Sequence, residues 1–167
     1  MRISKFYIFL LLLLGSAALI GCGIYSFSGS SINAKTINIG FIENKAEIVD
    51  PQLAQTFTES LRDKFLSETQ LSIVKDEADV EVTGFITRYA TSFLAVKGDE
   101  PAKTRLTMAV KLKFVNKVEE GKDIENTFQA VTDFDASDEF TSIQDQLNEE
   151  VIDQILTDFF NATVNDW

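Results

Sequence analysis

Lys103-Thr104-Arg105-Leu106-Thr107-Met108-Ala109-Val110-Lys111-Leu112-Lys113-Phe114-Val115-Asn116-Lys117 alternates with period two. Leu106, Met108, Val110, Leu112 and Phe114 fall on one side, the signature of a half-buried β-strand. The other side carries Lys103, Arg105, Lys111, Lys113 and Lys117. An apolar row on one side only calls for a sheet with one covered and one wet face. The rest of the chain must supply the cover.

Working outward, Glu119-Glu120-Gly121-Lys122 makes a hairpin connection to a strand with Ile124, Asn126, Phe128, Ala130, Thr132 and Phe134 as its inner row. Upstream, Val80, Val82, Gly84 and Ile86 alternate with Glu81, Thr83, Phe85 and Thr87. A loop from Ser92 to Lys103 follows, with Gly98-Asp99-Glu100-Pro101 as its turn. Leu71 to Val74 reads as a short strand ended by Lys75-Asp76-Glu77. Ile37, Ile39 and Phe41 are predicted to share one face of the first strand.

Two amphipathic helices are the cover. Asp50 caps the first and Pro51 suits its first position, where a missing N–H is harmless. Leu53, Phe57, Leu61 and Phe65 recur every fourth residue, with Ala54 and Leu66 widening the stripe. The second helix begins at a capping box of Thr141 and Gln144. Its stripe is Ile143, Leu147, Val151, Ile155 and Phe159, broadened by Ile152, Leu156 and Phe160, while Asp145, Asn148, Glu149, Asp153 and Asp158 stay wet. The order strand, helix, four strands, helix predicts an α+β two-layer sandwich. Two helices pack on one face of a mostly antiparallel sheet of four to five strands.

Ahead of this unit, Met1 to Lys5 carries two cations and Phe6 to Leu14 is apolar. Gly15, Ser16, Ala17 and Ala18 then lead to Leu19-Ile20-Gly21-Cys22. Charged start, apolar block and small residues make a secretory signal, and the last four residues resemble the lipobox of bacterial lipoproteins. Residues 1–21 are expected to be removed and Cys22, the only cysteine, to become an acylated N-terminus. An uncleaved membrane anchor is the competing reading of Phe6 to Tyr25, but small and polar residues crowd its second half and no basic cluster follows. Residues 22–34, rich in Ser and Gly, read as a lipidated tether, and 35–167 as one α+β domain.

Cleavage would remove Arg2 and Lys5 from the chain's 15 cations, leaving 13 against 26 acids, a net charge near −13. Nucleic acid is an unsuitable partner at that charge. Histidine is absent, which removes the commonest general base and metal ligand. No Gly-x-Ser-x-Gly elbow or phosphate-cradling glycine loop occurs. Asp133, Asp135, Asp138 and Glu139 lack the central glycine and closing glutamate of a calcium loop. No catalytic residue, metal or cofactor is expected. The five cations opposite the apolar row run against the overall charge. They suit a solvated face paired with Glu125 and Asp133 of the next strand, or an edge strand guarded by lysines. The sharper reading is a surface that recognises a phosphorylated lipid or an acidic partner.

Several short motifs carry a resemblance: Cys22-Gly23-Ile24-Tyr25-Ser26-Phe27-Ser28-Gly29, Phe57-Thr58-Glu59-Ser60-Leu61, Arg105-Leu106-Thr107, and the ending Phe159-Phe160-Asn161-Ala162-Thr163-Val164-Asn165-Asp166-Trp167. In this order they are similar to the LptE-family lipopolysaccharide-assembly lipoproteins. The resemblance implies a non-enzymatic protein held by acyl chains on Cys22 at the periplasmic side of the outer membrane. There it would plug an LptD-type β-barrel, assist its assembly and contact lipopolysaccharide. Lipopolysaccharide carries phosphates, so Lys103, Arg105, Lys111, Lys113 and Lys117 are the expected contact. The alternative is a periplasmic lipoprotein that binds an anionic lipid or peptide without a barrel.

Overall fold

The structure is a computed structural model, and it describes residues 33–48, 50–94 and 103–165. Strands β1 (Thr36–Ile39) and β2 (Glu43–Asn44) precede helix α1 (Pro51–Glu68). Strands β3 (Ser72–Ile73), β4 (Val80–Leu94), β5 (Lys103–Asn116) and β6 (Ile124–Asp135) follow, then helix α2 (Phe140–Phe160), which runs on into a π-helical turn, Asn161–Asn165. The sheet order is β3-β1-β4-β5-β6, and β2 continues along β4 past the end of β1. β4, β5 and β6 form an antiparallel meander, while β1 joins β3 and β4 in parallel. The fold is therefore α+β with a mostly antiparallel sheet, as the alternation predicts; β2 is the added strand.

Both helices lie on one face. The inner row of β5, from Leu106 to Phe114, is fully buried against them. Phe159 of α2 is the junction: its ring meets Phe65 of α1 at 6.2 Å, Phe114 of β5 at 6.5 Å and Phe128 of β6 at 5.5 Å, all edge-on. Such edge-to-face contacts suit the quadrupoles of the rings and add to simple area burial. Asp50 caps α1 as expected, its Oδ1 accepting from the N–H of Gln52 at 2.9 Å and of Leu53 at 3.3 Å. Further along the helix, the buried Thr58 hydroxyl donates to the Ala54 carbonyl and accepts from the Ile42 N–H.

Several local expectations are corrected. Phe41 is 58% exposed and Ile42 takes the buried place. β1 ends at Ile39, Gly40 donates to the Val82 carbonyl, and the Thr58 bond turns Ile42 inward. Leu66 is exposed because Phe65 already occupies the inward direction at that turn. The capping box at Thr141 does not form: α2 begins two residues earlier than that box requires, with Glu139 at the cap position, and Gln144 reaches away from its own helix. Asn148, expected to be wet, is buried. Asn126 is exposed rather than inward-packed, although Phe128 and Ile124 on either side of it in the same row pack against the core. The stretch Ser92–Leu94 belongs to β4, not to a loop, because its ladder with β5 continues to Leu94 opposite Lys103. The expected turn at Gly98–Pro101 lies outside the described residues.

Candidate functional site

β4, β5 and β6 place all five expected cations on the face away from the helices. There the structure gives most of them acidic partners. Arg105 lies directly across from Asp133 and holds it with two parallel bonds, Nε to Oδ1 at 2.6 Å and Nη2 to Oδ2 at 2.9 Å. Lys111 stands opposite Thr127 but reaches diagonally to Glu125 Oε1 at 2.6 Å. Lys117, one residue past β5, bonds Glu81 Oε1 on β4 at 2.6 Å. Asp133 and Glu125 are the partners the period-two reading anticipates; Glu81 is not.

Lys103 and Lys113 differ. Lys103 faces Asp135 and Lys113 faces Glu125 across the ladder, yet neither makes an ion pair among the described residues. Both are exposed. They stand at opposite ends of β5 with Arg105 and Lys111 between them. Electrostatics follow the pairs. The Arg105 guanidinium holds the Asp133 carboxyl below its usual range, and the hydrogen bond from Lys111 lowers Glu125. The same bond to Asp133 raises Arg105. Two more cations edge this face: Arg88 on β4, and Lys45, whose ammonium sits 4.5 Å from the centre of the Phe85 ring. The result is an exposed face cross-braced by ion pairs, with Lys103 and Lys113 outside those pairs among the described residues.

A second polar group was invisible to sequence reading. Between Ile86 and Arg88 the register with β5 slips by one residue, and Thr87 is the extra one. Its hydroxyl donates to the Ala109 carbonyl at 3.0 Å. A one-residue slip reverses the faces, so Tyr89 turns inward and is 1% exposed. Its hydroxyl donates to Asn148 Oδ1 at 2.7 Å and accepts from Gln144 Nε2 at 3.2 Å. Gln144 also donates to Asp50 Oδ2 at 2.8 Å. Burial pushes the Tyr89 hydroxyl pKa up. This chain ties β4, the start of α1 and the first turns of α2, and it borders a cavity of about 260 Å³ lined by polar residues including Thr56 and Asp145.

Where the expected tether meets the fold, Asp79 Oδ2 accepts from the backbone N–H of Lys35 at 2.8 Å and of Thr36 at 3.0 Å. The Asp79 N–H donates in turn to the Thr36 hydroxyl. These bonds, the one from Lys35 first, hold the carboxyl below its usual range. Cys22 and the terminal Trp167 lie outside the described residues. The ending as far as Val164 packs on its own core, Val164 being fully buried. Among the described residues no helix is long and apolar enough to cross a membrane.

No curated protein matches the chain. Among solved structures, a Xanthomonas campestris protein matches with a TM-score of 0.53 and 8% identity, over 78% of this chain and 84% of that one. An uncharacterized lipoprotein B from Nitrosomonas europaea matches at 0.51 and 10%, over 83% and 87%. A hypothetical protein from Chlamydia trachomatis matches at 0.50 and 9%, over 78% and 98%. At these identities the likeness is one of fold. The model of the LptE family, described as lipopolysaccharide-assembly, matches residues 34–163, nearly the whole described structure. The chain belongs to the LptE lipopolysaccharide-assembly family.

Proposed function

We propose that this chain is an outer-membrane lipoprotein, anchored through acyl chains on Cys22, that acts as the non-enzymatic plug and assembly partner of an LptD-type β-barrel in lipopolysaccharide transport. The observation that carries this reading is the family match over residues 34–163. The architecture supports it. Two or more acyl chains give stable attachment at about 0.8 kcal/mol per buried methylene. A barrel lumen is polar, and the open face of the sheet is polar and braced by ion pairs.

Within this reading Lys103, Arg105, Lys111, Lys113 and Lys117 remain the surface for lipopolysaccharide phosphates. Lys103 and Lys113 take the first contact, since no internal acid must be displaced. Purification of the native chain in mild detergent tests the function. Recovery of a large β-barrel in equal amount supports it, and recovery of the chain alone counts against it.

A further inference from the structure

The two edges of the sheet are unlike. At one, β3 is only Ser72–Ile73, and the chain leaves it through Lys75-Asp76-Glu77, with Glu77 in the left-handed region at φ 52. A strand so short, followed by charge and a turn, offers nothing to pair with. At the other, β6 runs from Ile124 to Asp135 in unbroken register with β5. Among the described residues it pairs with no other strand. On an antiparallel edge, the N–H and C=O groups of alternate residues point away from the neighbouring strand.

The usual guards of such an edge are lysine, proline, a bulge or an inward charge. None occurs in Asn126-Thr127-Phe128-Gln129-Ala130-Val131-Thr132, which is uncharged throughout. Helix α2 covers Phe128 and Ala130 but leaves Asn126, Thr127, Gln129 and Val131 exposed. Lipid tails cannot satisfy backbone groups, so an occupant must itself be a strand.

Charge decides which strand. β6 carries Glu125, Asp133 and Asp135 and no cation. A second copy paired antiparallel about Gln129 would set Glu125 opposite Asp133 at both ends, and like charges directly opposite destabilise a sheet. Each copy is also strongly acidic overall. A partner that is neutral in its middle and basic at its ends meets no such obstacle. Its cations belong opposite Glu125 and Asp133, eight residues apart.

We propose that the free edge of β6 is a docking site for an extended segment of a partner protein, uncharged at its centre and basic at both ends, which adds to the sheet as a further strand. The site borders the lysine face, whose Arg105 and Lys111 already hold Asp133 and Glu125, so the partner's cations would share those two carboxylates; it does not depend on the barrel reading. Its test uses neither barrel nor lipopolysaccharide.

The probe is the peptide Lys-Thr-Val-Thr-Val-Thr-Val-Thr-Lys, added to the processed chain while hydrogen exchange of individual amides is followed by NMR. Alternate amides within residues 126–132 should slow at least about tenfold, which is the mark of new ladder bonds. The peptide with glutamate at both ends should bind at least about tenfold more weakly. N-methylation of one alternate set of peptide residues should abolish binding, while methylation of the other set should leave it. In the chain, Gln129→Lys with Val131→Lys restores edge guards on an exposed face and should lower affinity similarly. Unchanged amide protection in β5 would show that this variant is folded. Four outcomes would overturn the proposal: no binding up to about 1 mM peptide, binding without new protection in β6, binding of the acidic peptide or of both methylated peptides equal to that of the parent peptide, or a free chain already dimeric with those amides protected.

Discussion

Asp79 accepts two backbone N–H groups at the point where the chain enters the fold. These bonds exist fully only while the carboxyl is ionised, which is why its folded pKa lies below the ordinary value of 3.8. Its contribution is complete above the unfolded pKa and disappears as pH falls through the folded one, because the unfolded chain then binds more protons. Glu125 and Asp133 act in the same direction. Stability should therefore decline on acidification below about pH 4, and Asp79→Asn should flatten that decline. Urea titrations across the range check it; identical slopes would contradict the assignment. Tyr89→Phe should lower stability by about 1–2 kcal/mol by leaving Asn148 and Gln144 short of a buried partner. The sign of that loss is a lower urea midpoint with an unchanged slope. Neither group was legible beforehand. Gln144 stands three residues after Thr141, as a capping box requires, and only the packed positions of Asp50 and Tyr89 show that its amide is used elsewhere.

Helices and strands were more legible than single residues, for a physical reason. The stripes of Phe57, Leu61 and Phe65, and of Val151, Ile155 and Phe159, repeat at helical spacing because one face of each helix must be dry. That requirement leaves its mark along the whole element. β5 was readable for the same reason, at period two. β4 was readable only to Ile86, since the inserted Thr87 reverses the faces and makes Tyr89 look exposed when it is buried. Short-range turns such as Gly40 to Ile42 escape periodicity altogether. β4 and β5 also approach closely at Gly84, where an added Cβ would lie 2.3 Å from the Lys111 carbonyl oxygen and 2.8 Å from a Leu112 methyl. A backbone oxygen cannot swing aside. Gly84→Ala should destabilise the protein by about 1–3 kcal/mol or more, read as a drop in unfolding temperature. An unchanged temperature would show that the two strands can separate without loss.

For the molecule as a whole, charge is distributed unevenly. A chain with 26 acids and 15 cations keeps four of those cations on β5 and a fifth, Lys117, just past its end, all facing away from the helices. Period two revealed the strip and the acids Glu125 and Asp133 that pair with it, but not Glu81 as the partner of Lys117 nor the diagonal reach of Lys111 to Glu125, which depends on side-chain conformation. If Lys103 and Lys113 meet phosphates, replacing both by alanine should weaken lipopolysaccharide binding and reduce its salt dependence. Stability should move by less than about 0.5 kcal/mol. Equal binding by the variant and the parent at low salt would remove the strip from the function. The central claim, that this chain works in delivering lipopolysaccharide to the cell surface, is tested most directly by depleting it in its own cell and measuring lipopolysaccharide in the outer leaflet. The predicted result is a loss of surface lipopolysaccharide as the chain disappears; an outer leaflet of unaltered composition would contradict it.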